Sequence, residues 1–110
     1  MMGVSPSSFA KEVEGLGLSA IGINCGKSLD DNLNALKELS NATEAPIWFK
    51  PNAGLPYLDE SSEPKYDITP GQMAEKAVAW IEAGARIIGG CCGTSPEHLK
   101  AIANVVIDLR

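Results

Sequence analysis

Ala85-Arg86-Ile87-Ile88-Gly89-Gly90-Cys91-Cys92-Gly93-Thr94-Ser95-Pro96 runs from an apolar strand-like segment, through a glycine-framed pair of thiols, to a helix start. Adjacent cysteines between glycines add little to a core. They are well suited to bringing two sulfurs to one metal ion, because glycine lets the backbone bend sharply. Cys25, the third and last cysteine, ends another short apolar stretch, Ala20-Ile21-Gly22-Ile23-Asn24. Three thiols at the ends of strand-like segments predict one zinc site with three sulfur ligands.

Outward from these turns, hydrophobic periodicity predicts the order helix-strand-helix-strand-helix-strand-helix. Ser5-Pro6 opens a first helix that buries Phe9, Val13 and Leu16 and stops at Gly15 and Gly17. A strand over 19–24 follows. Ser28 with Asp31 resembles a weak capping box ahead of a face formed by Leu29, Leu33, Leu36 and Leu39. Ala45-Pro46 precedes the apolar strand Ile47-Trp48-Phe49, and 51–69 reads as one long loop rich in proline and glycine. Thr69-Pro70-Gly71-Gln72 opens a helix burying Met73, Ala77, Trp80 and Ile81, with Gly84 at its C-terminal end. Ala85 to Ile88 is the third strand. Ser95-Pro96 starts a last helix burying Leu99, Ile102, Val106 and Leu109. Trp48, Trp80 and the methionines read as core.

Apolar strands separated by amphipathic helices predict an α/β fold whose parallel sheet is buried on both faces. The thiols and the long loop then fall at the C-terminal ends of strands, the edge that carries chemistry in such folds. Three strands cannot close a (β/α)8 barrel, which takes about 250 residues. The alternatives are a small open sheet or the last portion of a larger fold.

The 110 residues, 45% of them hydrophobic, fit one domain with a modest core. A net charge of -5 and nine scattered basic residues exclude nucleic acid as a partner. No apolar run approaches the ~18 residues of a membrane span. Met1-Met2-Gly3-Val4-Ser5-Pro6 lacks the features of a secretory signal. An odd number of cysteines without an export signal predicts reduced thiols and a cytoplasmic location.

Gly22-Ile23-Asn24-Cys25, Pro51-Asn52-Ala53-Gly54-Leu55-Pro56 and Gly89-Gly90-Cys91-Cys92-Gly93-Thr94-Ser95-Pro96-Glu97-His98 together resemble the closing third of the homocysteine S-methyltransferase domain. The 51–56 motif looks closer to the cobalamin-dependent methionine synthase branch than to the betaine-dependent one. The resemblance implies that 1–110 is a partial domain holding strands six to eight, with their helices, of a (β/α)8 TIM-type barrel. It also implies that Cys25, Cys91 and Cys92 hold a catalytic zinc, and that the activity is methyl transfer to homocysteine, giving methionine. Strands one to five, which in the family contact the amino and carboxylate groups of homocysteine, have no counterpart in this sequence. The partners implied are homocysteine, the missing barrel half, and a corrinoid on a separate domain or protein as methyl carrier. The methyl donor stays open.

A zinc site with three thiolates and one open position would accept the homocysteine sulfur and raise its thiolate fraction. Asn24 and Asn52, at strand ends, either contact substrate or orient a cysteine, or else satisfy local backbone as turn amides. His98, the only histidine, reads as a surface residue in the first turn of the last helix, with a fourth-ligand role as the alternative. Two further classes compete with the enzyme. One is a non-catalytic zinc-binding fragment or a subunit of a split protein. The other is a redox pair of Cys91 and Cys92.

Overall fold

Each helix begins at the cap residue its sequence provides. The computed structural model describes residues 5–26, 28–58, 60–61 and 64–108. Helix α1 (Pro6–Val13) starts with Ser5 accepting the Ser8 N–H, and the chain leaves it through Gly15 and Gly17, at φ 84° and 74°. Strand β1 (Ile21–Cys25) leads to α2 (Leu29–Ala42), where the Ser28 hydroxyl accepts the Asp31 N–H at 3.0 Å. Strand β2 (Ile47–Pro51) is followed by two short strands, β3 (Pro56–Leu58) and β4 (Pro64–Tyr66). Helix α3 (Pro70–Glu82) has the full capping box. Thr69 accepts from the Gln72 N–H at 3.2 Å, and Gln72 accepts from the Thr69 N–H at 2.9 Å. Strand β5 (Ala85–Ile88) and helix α4 (Pro96–Asp108) complete the described chain. Leu109 and residues 1–4 lie outside it.

Strands β1, β2 and β5 form a parallel sheet in the order β1-β2-β5. Ile21 faces Ile47 and Cys25 faces Pro51, so β1 and β2 end together, while the register of β2 with β5 shifts between Ile47 and Trp48. The result is an α/β fold with an unclosed, barrel-like sheet. Its core lies on one face only. Ile21, Ile47, Phe49 and Ala85 are buried there against Leu36, Leu39, Met73, Ala77, Trp80 and Ile102. Phe49 and Trp80 meet at a ring-centroid distance of 5.0 Å with planes tilted by 56°, a favoured aromatic geometry.

Burial on both sheet faces is therefore corrected. Gly22, Asn24, Trp48 and Ile87 alternate with the core residues and are exposed. All four helices contribute to the single cluster on the other face, so no element among the described residues covers this one. Trp80 is core as expected, but Trp48 is 43% exposed. Phe9 and Leu16 are exposed because α1 is short and turns only Ala10 and Val13 inward. Leu99 also differs: it lines an apolar groove with Ile81, Ile88, Ile102 and Val106 beside β5, which is an edge strand. The expected loop over 51–69 contains an antiparallel hairpin, with Pro56 opposite Tyr66 and Leu58 opposite Pro64. Its three-residue strands are too short to show a period.

Candidate metal centre

The backbone brings the thiols together at the C-terminal edge of the sheet. Cys25, the last residue of β1, has a φ of 61°, the only positive φ among the described non-glycine residues. Its carbonyl accepts a hydrogen bond from the side-chain amide of Asn32 on α2. Gly26 follows at φ 90°, and a side chain there would collide with the Asn32 amide. On the other side, pairing of β5 with β2 continues into the vicinal-thiol turn. The Gly89 N–H donates to Phe49 and the Cys91 N–H to Pro51, each at 2.9 Å. The Cys92 carbonyl then accepts from the Ala53 N–H at 2.9 Å.

Asn52 ties the two halves. Its Oδ1 accepts the Cys92 N–H at 2.9 Å, and its Nδ2 donates to the Gly26 carbonyl at 3.2 Å. The turn closes where the Thr94 N–H reaches the Cys91 carbonyl at 3.2 Å. Of the three glycines around the thiols, only Gly93 adopts a left-handed conformation, at φ 78°. The ring of Tyr66, from the hairpin, occupies the space that a Gly93 side chain would need. Gly90 serves differently: the Thr94 side chain packs where its Cβ would be.

The sulfurs of Cys25, Cys91 and Cys92 all lie within 4.8 Å of one another. Cys25 Sγ and Cys91 Sγ are 2.8 Å apart, and Asn24 Nδ2 donates to Cys25 Sγ at 3.4 Å. All three cysteines are free thiols. A tetrahedral ion with Zn–S bonds of about 2.3 Å holds its sulfurs about 3.8 Å apart. That spacing falls between the 2.8 Å of the closest pair and the 4.8 Å limit of the cluster. Three sulfur donors suit a soft or borderline metal ion, and among the described residues no carboxylate belongs to the group. The cluster can hold a metal ion.

Electrostatics divide the thiols. The Cys25 thiol is pushed above the usual cysteine range, first by its hydrogen bond to Cys91 and then by burial. The Cys91 thiol is held below that range because it receives that hydrogen bond. Of the two, Cys91 is the readier thiolate.

The structure gathers the three cysteines with Asn24 and Asn52 beside them. Asn24 reaches a sulfur, whereas both ends of the Asn52 amide engage backbone. His98 is corrected from a surface residue to a buried one. Its Nδ1 takes the Ser95 N–H at 3.2 Å, which leaves Nε2–H to donate to the Ile68 carbonyl at 2.7 Å. Both ring nitrogens are occupied, so it is no ligand here; it fixes the start of α4 against the loop from the hairpin. Asn32 and Tyr66 are supports that the sequence reading did not single out. Asn32 carried a signal, a polar residue on the leucine face of α2. Tyr66 carried none, because its partner Gly93 is distant in sequence.

With this geometry in view, comparisons with known proteins converge. The family profile described as Homocysteine S-methyltransferase matches residues 1–106. A methionine synthase of Mycobacterium tuberculosis (strain ATCC 25618 / H37Rv) is 36% identical over 99 residues, 89% of this chain. That of Mycobacterium leprae (strain TN) is 38% identical over 95 residues, 86% of this chain. The chain spans only 8% of the length of either protein. Among solved structures, the apo form of the homocysteine methyltransferase MmuM from Escherichia coli superposes with a TM-score of 0.68 and 30% identity. The match covers 90% of this chain and 32% of that one. The metallated form gives the same TM-score and identity, covering 89% and 28%.

Proposed function

This chain belongs to the homocysteine S-methyltransferase family, and on that premise we propose that it carries the zinc-binding part of an enzyme that methylates homocysteine to methionine. The observation that carries the reading is the meeting of three sulfurs within 4.8 Å at the C-terminal edge of a parallel sheet. Cys25, Cys91 and Cys92 would hold the ion and leave one position for the substrate sulfur. When bound, zinc supplies a Lewis acid that lowers the pKa of the acceptor thiol and raises its thiolate fraction at neutral pH.

The chain's own residues hold that arrangement. Asn24 donates to the Cys25 sulfur and Asn52 clamps the two thiol turns together. Both stand at the edge where substrate would enter, and we assign them to the substrate site. In the reaction the new S–C bond forms as the donor–methyl bond breaks, and the thiol proton passes to solvent. The methyl donor stays open, a corrinoid on a separate domain or protein being one carrier that would supply the methyl group.

Residues 1–110 are read as a partial domain, strands six to eight of a (β/α)8 barrel. Supporting this, β1 and β5 are both open edges and one sheet face is uncovered. Those same edges favour a second reading, in which the chain is a zinc-binding subunit completed by strands from elsewhere. The free thiols suit a reducing compartment, and we place the chain in the cytoplasm. The experiment is methionine formation from homocysteine by the zinc-loaded chain, offered S-methylmethionine, betaine, methyltetrahydrofolate with a corrinoid, or a methylated corrinoid protein. Zinc-dependent product with one donor supports the enzyme reading. Zinc binding with no product from any donor favours the subunit.

A further inference from the structure

Hydrogen bonds outside the cluster hold the turns that carry the three thiols. Asn52 bridges the Cys92 N–H and the Gly26 carbonyl, and Asn32 holds the Cys25 carbonyl from α2. The sulfurs therefore meet as a preorganised trithiol, which lowers the cost of binding. Cys92 is exposed and Cys25 and Cys91 are half-buried, so a small solute reaches them from solvent. Among the described residues no histidine, aspartate or glutamate joins the group, and both ring nitrogens of His98 are engaged. Zinc at such a site still takes a fourth ligand. A trivalent centre that makes three bonds and carries a lone pair needs none.

We infer that Cys25, Cys91 and Cys92 form a binding site for trivalent arsenic, taken up as arsenous acid. Thiolates are soft donors, and arsenic(III) is a soft, thiophilic centre. Its lone pair compresses the S–As–S angles below tetrahedral, so its sulfurs lie closer than the ~3.8 Å set by a tetrahedral zinc ion. That change is towards the 2.8 Å already separating Cys25 Sγ from Cys91 Sγ. Arsenous acid is uncharged at neutral pH, so the chain's net charge of -5 does not repel it. In each of three exchanges an As–S bond forms as an As–O bond breaks, and the thiol proton leaves with the hydroxyl as water. Arsenic stays trivalent throughout, and no oxidant or reductant takes part. The product leaves no position for a substrate thiol, so bound arsenic and the proposed methyl transfer exclude each other. The inference itself rests on the geometry of the thiols and stands apart from the methyl-transfer reading.

To test this, the reduced, metal-free chain is titrated with sodium arsenite under nitrogen and followed by native mass spectrometry and X-ray absorption at the arsenic edge. One arsenic per chain is expected, with a mass gain of one arsenic atom less three hydrogens, and three sulfur neighbours. Cys25→Ser, Cys91→Ser and Cys92→Ser should each bind arsenite about 100-fold more weakly, because each loses one intramolecular bond. Phenylarsine oxide, whose arsenic offers only two exchangeable positions, should still bind every variant through the remaining pair of thiols. Two sulfur neighbours in the parent, or a single variant that binds arsenite as tightly as the parent, overturns the site. So does a parent that binds no arsenite. Methionine formation by the zinc-loaded chain, measured separately, decides the proposed function whichever way the arsenite result falls.

Discussion

Asn32, on the first long helix, donates its side-chain amide to the carbonyl of Cys25, one residue before a glycine that leaves room for that amide. The contact fixes the end of β1 while Cys25 adopts φ 61°, a conformation that costs an L-residue about 1–2 kcal/mol. Asn32→Ala should lower stability by about 1–3 kcal/mol, the range for a lost buried hydrogen bond. It should also weaken zinc binding about 10- to 100-fold, as loss of a ligand-orienting contact does. Urea unfolding and competition with a metallochromic chelator read the two effects separately.

Gly93 and Tyr66 form a second support, between the vicinal thiols and the hairpin. Gly93→Ala places a methyl group into the Tyr66 ring and forces alanine into φ 78°. The expected loss is about 2 kcal/mol or more from conformation and overpacking together. In a Tyr66→Ala background the steric part disappears, and the same change should cost about 1–2 kcal/mol. A double-mutant cycle in urea measures the difference.

His98 separates a structural histidine from a metal ligand. His98→Ala removes contacts to Ser95 and to the Ile68 carbonyl, and should destabilise the fold by about 1–3 kcal/mol. Zinc stoichiometry and affinity should be unchanged under conditions where the variant is folded. A loss of zinc matching the loss from a cysteine substitution would reassign it as a ligand.

The pH behaviour of the metal-free thiols follows from the hydrogen bond between Cys25 and Cys91. Cys91 is shifted down and Cys25 up, so Cys91 ionises first as pH rises and Cys25 later. Iodoacetamide reacts with thiolate. In pulse alkylation of the metal-free protein, Cys91 should be labelled at lower pH than Cys25, as peptide mass mapping would show. Added zinc should protect both.

Much of this was legible in the sequence because it is local. The caps at Ser5, Ser28 and Thr69, and the strand from Ala85 to Ile88, depend on neighbours within four residues. The three thiols were legible because few residue types bind soft metals. What escaped depends on contacts across the chain. Trp48 reads as core by composition, but whether its sheet face is covered is a property of the whole fold. His98 looked like a surface residue on a helix start, yet its ring is held by Ile68 from another segment. Asn32 was overlooked because a leucine stripe was read by its leucines. The hairpin of β3 and β4 is a pairing of distant residues with almost no period of its own.

The central claim is a zinc ion held by three cysteines with one place left for a thiol. X-ray absorption at the zinc edge of the loaded chain, recorded before and after homocysteine is added, tests it most directly. The account predicts three sulfur neighbours and one lighter atom at first, then four sulfurs at about 2.3 Å. Fewer than three sulfurs in the first spectrum, or no fourth sulfur in the second, would contradict it.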